Sequence, residues 1–133
     1  MIIKQLLEII DKDVDGELLN AFTDEFRGGR NPKDIIELLQ SQNDELISFG
    51  IYVVGEINIE DSKIKKAIKE ELYKLIEIGS SYIRILSLTS ISSIILEESD
   101  LNKAKSFYAR IFEENDDEGV KALAKKLYNK GNG

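Results

Sequence analysis

The chain has 133 residues, 42% hydrophobic and 32% charged, with a formal net charge of −7. That length fits one domain able to bury a core without staples. It contains no cysteine and no histidine, which excludes disulfides, thiolate nucleophiles, the usual zinc sites and histidine-based triads.

Chemistry is left to carboxylates, lysines, hydroxyls and tyrosines, so carboxylate hydrolysis and oxygen-ligated metals are the enzyme routes still open. Pro32 is the single proline, and with abundant Leu, Ile, Lys and Glu it favours helix over sheet. Isoleucine also suits strands, so periodicity decides. Ile2 to Ile10 reads as a short helix. Lys4, Gln5, Glu8 and Asp11 interrupt its apolar run, which argues against a signal peptide. No stretch approaches ~20 apolar residues, so no membrane span is expected and the chain reads as cytoplasmic.

Asp15 is placed to cap a second helix, Gly16 to Arg27, with Leu18, Leu19, Phe22 and Phe26 inward. Gly28-Gly29 ends it, because glycine tolerates the left-handed closing conformation. Asn31-Pro32 opens the next helix, Pro32 to Ser41. Asn43 caps a helix running to Ile57, with Leu46, Phe49, Val53, Val54 and Ile57 as its apolar stripe. Gly50 and Gly55 within it read as packing positions. Asp61 or Ser62 caps a long helix to about Ile78, which Gly79 ends. Ser80 or Ser81 caps Tyr82 to Leu96, a serine-rich helix for which a strand over 81–88 is the competing reading. Serines there can bond back to the i−4 carbonyl and so be buried. Asp100 to Glu114 and Glu118 to Asn129 complete the series, the last capped by Asp116 or Asp117.

One pattern recurs every 37 residues. The caps are Asn43, Ser80 and Asp117. The first core position is Leu46, Ile83 and Val120, the next Phe49, Leu86 and Leu123, and then a small residue follows: Gly50, Ser87 and Ala124. The preceding helices match at Ile35, Leu72 and Ala109, and at Leu38, Leu75 and Phe112. A helix pair with such a stripe buries one side only and needs its neighbours.

Residues Asp117 to Leu127 (DEGVKALAKKL) and Ser80 to Arg84 (SSYIR) resemble the second-helix start of HEAT-like repeats: a cap, then an aliphatic residue followed by a basic one. Ile47 stands at the basic position of the first copy. The resemblance implies an all-α chain, a short right-handed α-solenoid of about three HEAT-like helical pairs plus an N-terminal helical cap. The cap is 1–30 and the repeats are 31–60, 61–97 and 98–131 of a single domain. Small acidic HEAT-like chains also resemble bacterial immunity proteins that block toxins. Here that likeness is carried by Glu25 to Pro32 (EFRGGRNP), Leu38-Leu39 and Phe49 to Ile57 (FGIYVVGEI). The functional expectation is a non-enzymatic protein-binding module. In the immunity-type reading it blocks a basic toxin or effector; in the other it is an adaptor or scaffold that self-associates or bridges partners.

Candidate sites follow. Residues 1–61 carry 14 acidic and 5 basic residues, net −9, and residues 62–133 carry 11 and 13, net +2. An acidic half repels nucleic acid and anionic membrane and attracts basic proteins; it also simply aids solubility. The exposed side of the helix after Asn43 gives Glu45, Ser48, Tyr52 and Glu56 as the partner-binding row, with Tyr52 as anchor or as a partly buried packing residue. No nucleic acid, membrane, metal or cofactor is expected, and the free chain reads as a monomer. Asp11, Asp13, Asp15 and Gly16 imitate the start of a calcium loop, but its twelfth position is Phe22, not a carboxylate. Glu97-Glu98, Glu113-Glu114 and Asp116-Asp117-Glu118 are carboxylate clusters at helix ends, where capping and solvation explain them. HEAT-like folds include DNA glycosylases, but the chain has no tryptophan and no basic groove is indicated.

Overall fold

The computed structural model describes residues 2–10, 16–97 and 101–130. Within them the chain is all-α. Eight helices follow in order: α1 (Ile2–Ile10), α2 (Glu17–Arg27), α3 (Lys33–Leu39), α4 (Asp44–Glu56), α5 (Ser62–Ile78), α6 (Ser81–Glu97), α7 (Leu101–Glu114) and α8 (Glu118–Lys130). No strand occurs among the described residues, and 81–88 is helix. None of these helices is long and apolar enough to cross a membrane.

The chain forms two compact units, Met1–Glu71 and Leu72–Gly133. The division falls inside α5. In the first unit α3 and α4 pack most extensively, α1 lies against α2 and α3, and α2 touches α4. Leu6, Ile35, Leu38, Leu46, Val53 and Ile68 are almost wholly buried there. In the second unit α8 packs against α7 and α6, and α6 also meets α7. Leu72, Ile76, Ile83, Leu88 and Val120 are its most buried side chains.

Helix boundaries come from local chemistry. The Asn43 Oδ1 accepts from the Glu45 and Leu46 N–H groups at 3.0 and 3.2 Å. The Asp61 Oδ1 accepts from Lys63 and Ile64 at 2.9 and 3.3 Å. Ser80 Oγ accepts from Ile83 at 3.4 Å, and Asp117 Oδ1 from Val120 at 3.0 Å. Just before α3, the Asn31 Oδ1 accepts from the Lys33 N–H at 3.0 Å, with Pro32 at the N-cap position. After α2 the Arg30 N–H donates to Glu25 O and the Gly29 N–H to Phe26 O, with Gly29 at φ 112, a closing motif that glycine adopts without steric cost. The expected cap Asp15 lies outside the described residues.

The caps at 43, 80 and 117 each serve the residue three positions on, and Leu46, Ile83 and Val120 are 1%, 0% and 0% exposed. The register of the second helices is therefore shared. That of the first helices is not: Phe112 is 42% exposed, while Tyr108 and Ile111 are buried. Those two lie 36 residues beyond Leu72 and Leu75. One more residue thus separates Ile111 from the Asp117 cap than separates Leu75 from the Ser80 cap, in the turn Asn115-Asp116.

Gly50 does serve packing. A Cβ there would sit 3.0 Å from Leu38 Cβ and 3.3 Å from Leu39 Cδ2. Gly55 does not, since a Cβ there would meet nothing within 4 Å. Of the buried α6 hydroxyls, Ser92 donates to the Leu88 carbonyl at 2.8 Å as expected. Ser87 is fully buried and its hydroxyl has no partner.

Candidate functional site

Helix α4 buries Leu46, Ile47, Phe49, Gly50, Ile51, Val53 and Val54. With 100° between successive residues, those seven cover more than half the circumference. Ile47 and Ile51 widen the stripe beyond its predicted members. What remains is one narrow strip holding all four residues of the predicted row. Glu45 and Glu56 are exposed, Ser48 is half-buried, and Tyr52 is 46% exposed. Gly55 lies on the same side and is exposed. The helix brings the row together as its spacing requires.

The structure adds a cation that the spacing did not show. Arg27 of α2 donates to Glu56 Oε2 at 2.8 Å and also pairs with Asp24. Hydrogen bonds to both carboxylates, Asp24 first, hold the Arg27 guanidinium above its ordinary value. Nearby in sequence, Arg30 bridges Glu25 and Asp34 and lies over the Phe22 ring, 4.5 Å from its centroid. Phe22 itself, the twelfth position of the calcium-like segment, is buried edge-on against Phe49. The acidic start of that segment, 11–15, lies outside the described residues. Among the described residues no cluster of acids is placed to hold a metal ion.

In the second unit the carboxylates near 116 are engaged at helix ends. Arg84 donates through Nε to the Gly79 carbonyl at 2.7 Å and through Nη1 to Asp116 at 2.8 Å and Asn115 at 3.3 Å. Arg84 chiefly, by hydrogen bonding, holds the Asp116 carboxyl below its ordinary value. Asp117 accepts from the Ser81 hydroxyl and caps α8, and it too is held low, chiefly by Ser81. Asn115, which sequence reasoning missed, is buried between them: its Nδ2 donates to the Ile76 carbonyl at 2.9 Å and its Oδ1 accepts from the Asp117 N–H at 3.0 Å. The signal that could have found it is the additional residue before the third cap.

Clefts open among the described residues of this unit. Tyr73, Glu77, Ile111, Glu114, Asn115 and Asp116 line one of about 370 Å³. Its three acids are exposed, and Asp116 is held ionised, the reverse of what a general acid needs. Asn102, Lys103, Ser106, Phe107 and Arg110 line another of about 430 Å³. Glu97 and Glu98 have no described side chains.

The sequence matches no family model, and no curated protein or solved structure is significantly similar to it.

Proposed function

We propose that the chain is a small helical-repeat protein of HEAT-like type that binds another protein, of the immunity kind that blocks a basic toxin or effector. The observation that carries this reading is Tyr52, 46% exposed on a strip flanked by Glu45 and Glu56. Residues 1–71 hold 16 acidic and 9 basic residues, net −7, whereas residues 72–133 hold nine of each. The field that attracts a basic partner therefore centres on the unit bearing α4. A tyrosine supplies contact area with few rotors to freeze, and Gly55 beside it leaves room for a partner's backbone.

The shared cap register supports the repeat reading, and the absence of an internal packing need at Gly55 supports a use for this face. The test begins with capture of the partner from the source cell and its identification by mass spectrometry. Binding kinetics are then compared for the native chain and the Glu45→Lys, Glu56→Lys double variant. Association should slow about tenfold or more at low salt and lose most of its salt dependence. Unchanged kinetics in a folded double variant removes this face.

A second reading, an adaptor that self-associates, is favoured by Ile78 (78% exposed) and Tyr82 (63%) in the second unit. Sedimentation over a wide concentration range separates the two: a monomer throughout argues against self-association.

A further inference from the structure

The chain has four arginines, and three are held by carboxylates: Arg27 by Asp24 and Glu56, Arg30 by Glu25 and Asp34, Arg84 by Asp116. Arg110 is different. Among the described residues its guanidinium has aromatic neighbours, the Tyr73 ring centred 5.1 Å away and the Phe107 ring 6.0 Å away. Stacking engages the face of a guanidinium and leaves its N–H edge for hydrogen bonding. It also restricts the side chain's rotamers, so less entropy is lost when a ligand arrives.

Arg110 is exposed and lines the α7 cleft of about 430 Å³ with Asn102, Lys103, Ser106 and Phe107. It is an open groove along one face of α7 rather than an enclosed pocket, which suits an extended segment better than a small ligand. The lining combines a planar cation, two neutral polar side chains and an aromatic wall. A carboxylate matches the guanidinium edge bidentately, and an apolar neighbour suits Phe107. A nucleic-acid polyanion suits it less. Residues 72–133 hold nine acids and nine bases and the chain is −7, so no long-range field draws any polyanion in, and recognition rests on the short-range contacts at Arg110 and Phe107.

We propose that this cleft docks an acidic segment of a protein partner, with a glutamate or aspartate on Arg110 and an adjoining apolar side chain on Phe107. The surface is opposite in sign to the α4 strip, and the two stand or fall independently.

The test is a titration of the ¹⁵N-labelled full chain with a synthetic peptide of alternating glutamate and leucine, followed at the Arg110 Nε–H resonance. The glutamate peptide should shift that resonance saturably, together with the Ser106 and Phe107 amides. The same peptide with glutamine should not. Arg110→Gln should weaken binding about fivefold while leaving the remaining spectrum in place. Absence of a saturable shift, an equal effect of the glutamine peptide, or an unchanged affinity in Arg110→Gln would overturn the proposal. So would inorganic phosphate binding there as tightly as the peptide, which makes the cleft a simple anion site.

Discussion

The side chain of Asn115 donates to the main-chain carbonyl of Ile76, 39 residues earlier, at 2.9 Å. Ile76 lies in the last turn of α5, where carbonyls lack intrahelical partners, and Asn115 satisfies one from the turn between α7 and α8. The same side chain accepts from the Asp117 N–H, so one buried amide ties the end of one helix to the start of another. Asn115→Ala leaves a carbonyl and an N–H without this partner. It should lower stability by about 1–3 kcal/mol in urea denaturation, whereas Asn129→Ala at an exposed site should stay within about 0.5 kcal/mol.

The two glycines of α4 should respond with opposite signs. An added Cβ at Gly50 meets the Leu38 Cβ at 3.0 Å, an atom fixed to the backbone that cannot swing aside. Overpacking outweighs the propensity gain, and Gly50→Ala should cost about 1 kcal/mol. Gly55→Ala enters open space and should gain about 0.5 kcal/mol in the last helical turn. Thermal unfolding of both variants checks the contrast; two changes of the same sign would contradict it.

Ser87 of α6 and Ala124 of α8, each seven residues after the caps Ser80 and Asp117, are both fully buried. The Ser87 hydroxyl is unpartnered, so Ser87→Ala removes a buried polar group without removing a bond. Stability should rise by about 1 kcal/mol, read as a higher urea midpoint at constant slope. A loss would mean that the hydroxyl finds a partner in solution.

Acid should weaken the Arg84 cluster. Asp116 and Asp117 both sit below their ordinary value of 3.8 in the folded chain. The folded state therefore binds protons there more weakly than the unfolded state does. The stability they contribute is complete above the ordinary value and is lost as pH falls through their lower folded values. In the Asp116→Asn, Asp117→Asn double variant, stability should fall less steeply with pH below about 3.8 than in the native chain. Asparagine at 117 preserves an N-cap for α8, and matching slopes would exclude the cluster as an acid-sensitive element.

Much of the fold was legible because its signals are short-ranged. A cap acts within three residues, and an apolar stripe needs only a helix's own spacing. Asn43, Asp61, Ser80 and Asp117 could thus be read as caps, and Glu45, Ser48, Tyr52 and Glu56 as one row. Phe112 lies outside the core because a single additional residue before the Asp117 cap shifts α7, and the spacing of caps does not report that. Gly55 was misjudged because a helical glycine looks the same whether a neighbour crowds it or not.

By itself, then, the sequence determined the helical class, the helix ends, the 37-residue register of the second helices and the sidedness of α4, all functions of residues within a few turns of one another. Only the tertiary structure decided which charges are engaged. Arg27 reaches Glu56 across 29 residues, and Arg84 reaches Asp116 across 32. Among the described residues, Arg110 is left with Tyr73 and Phe107 rather than a carboxylate. An ion pair depends on the meeting of two side chains from different helices, and that meeting is set by how helices pack rather than by any local spacing.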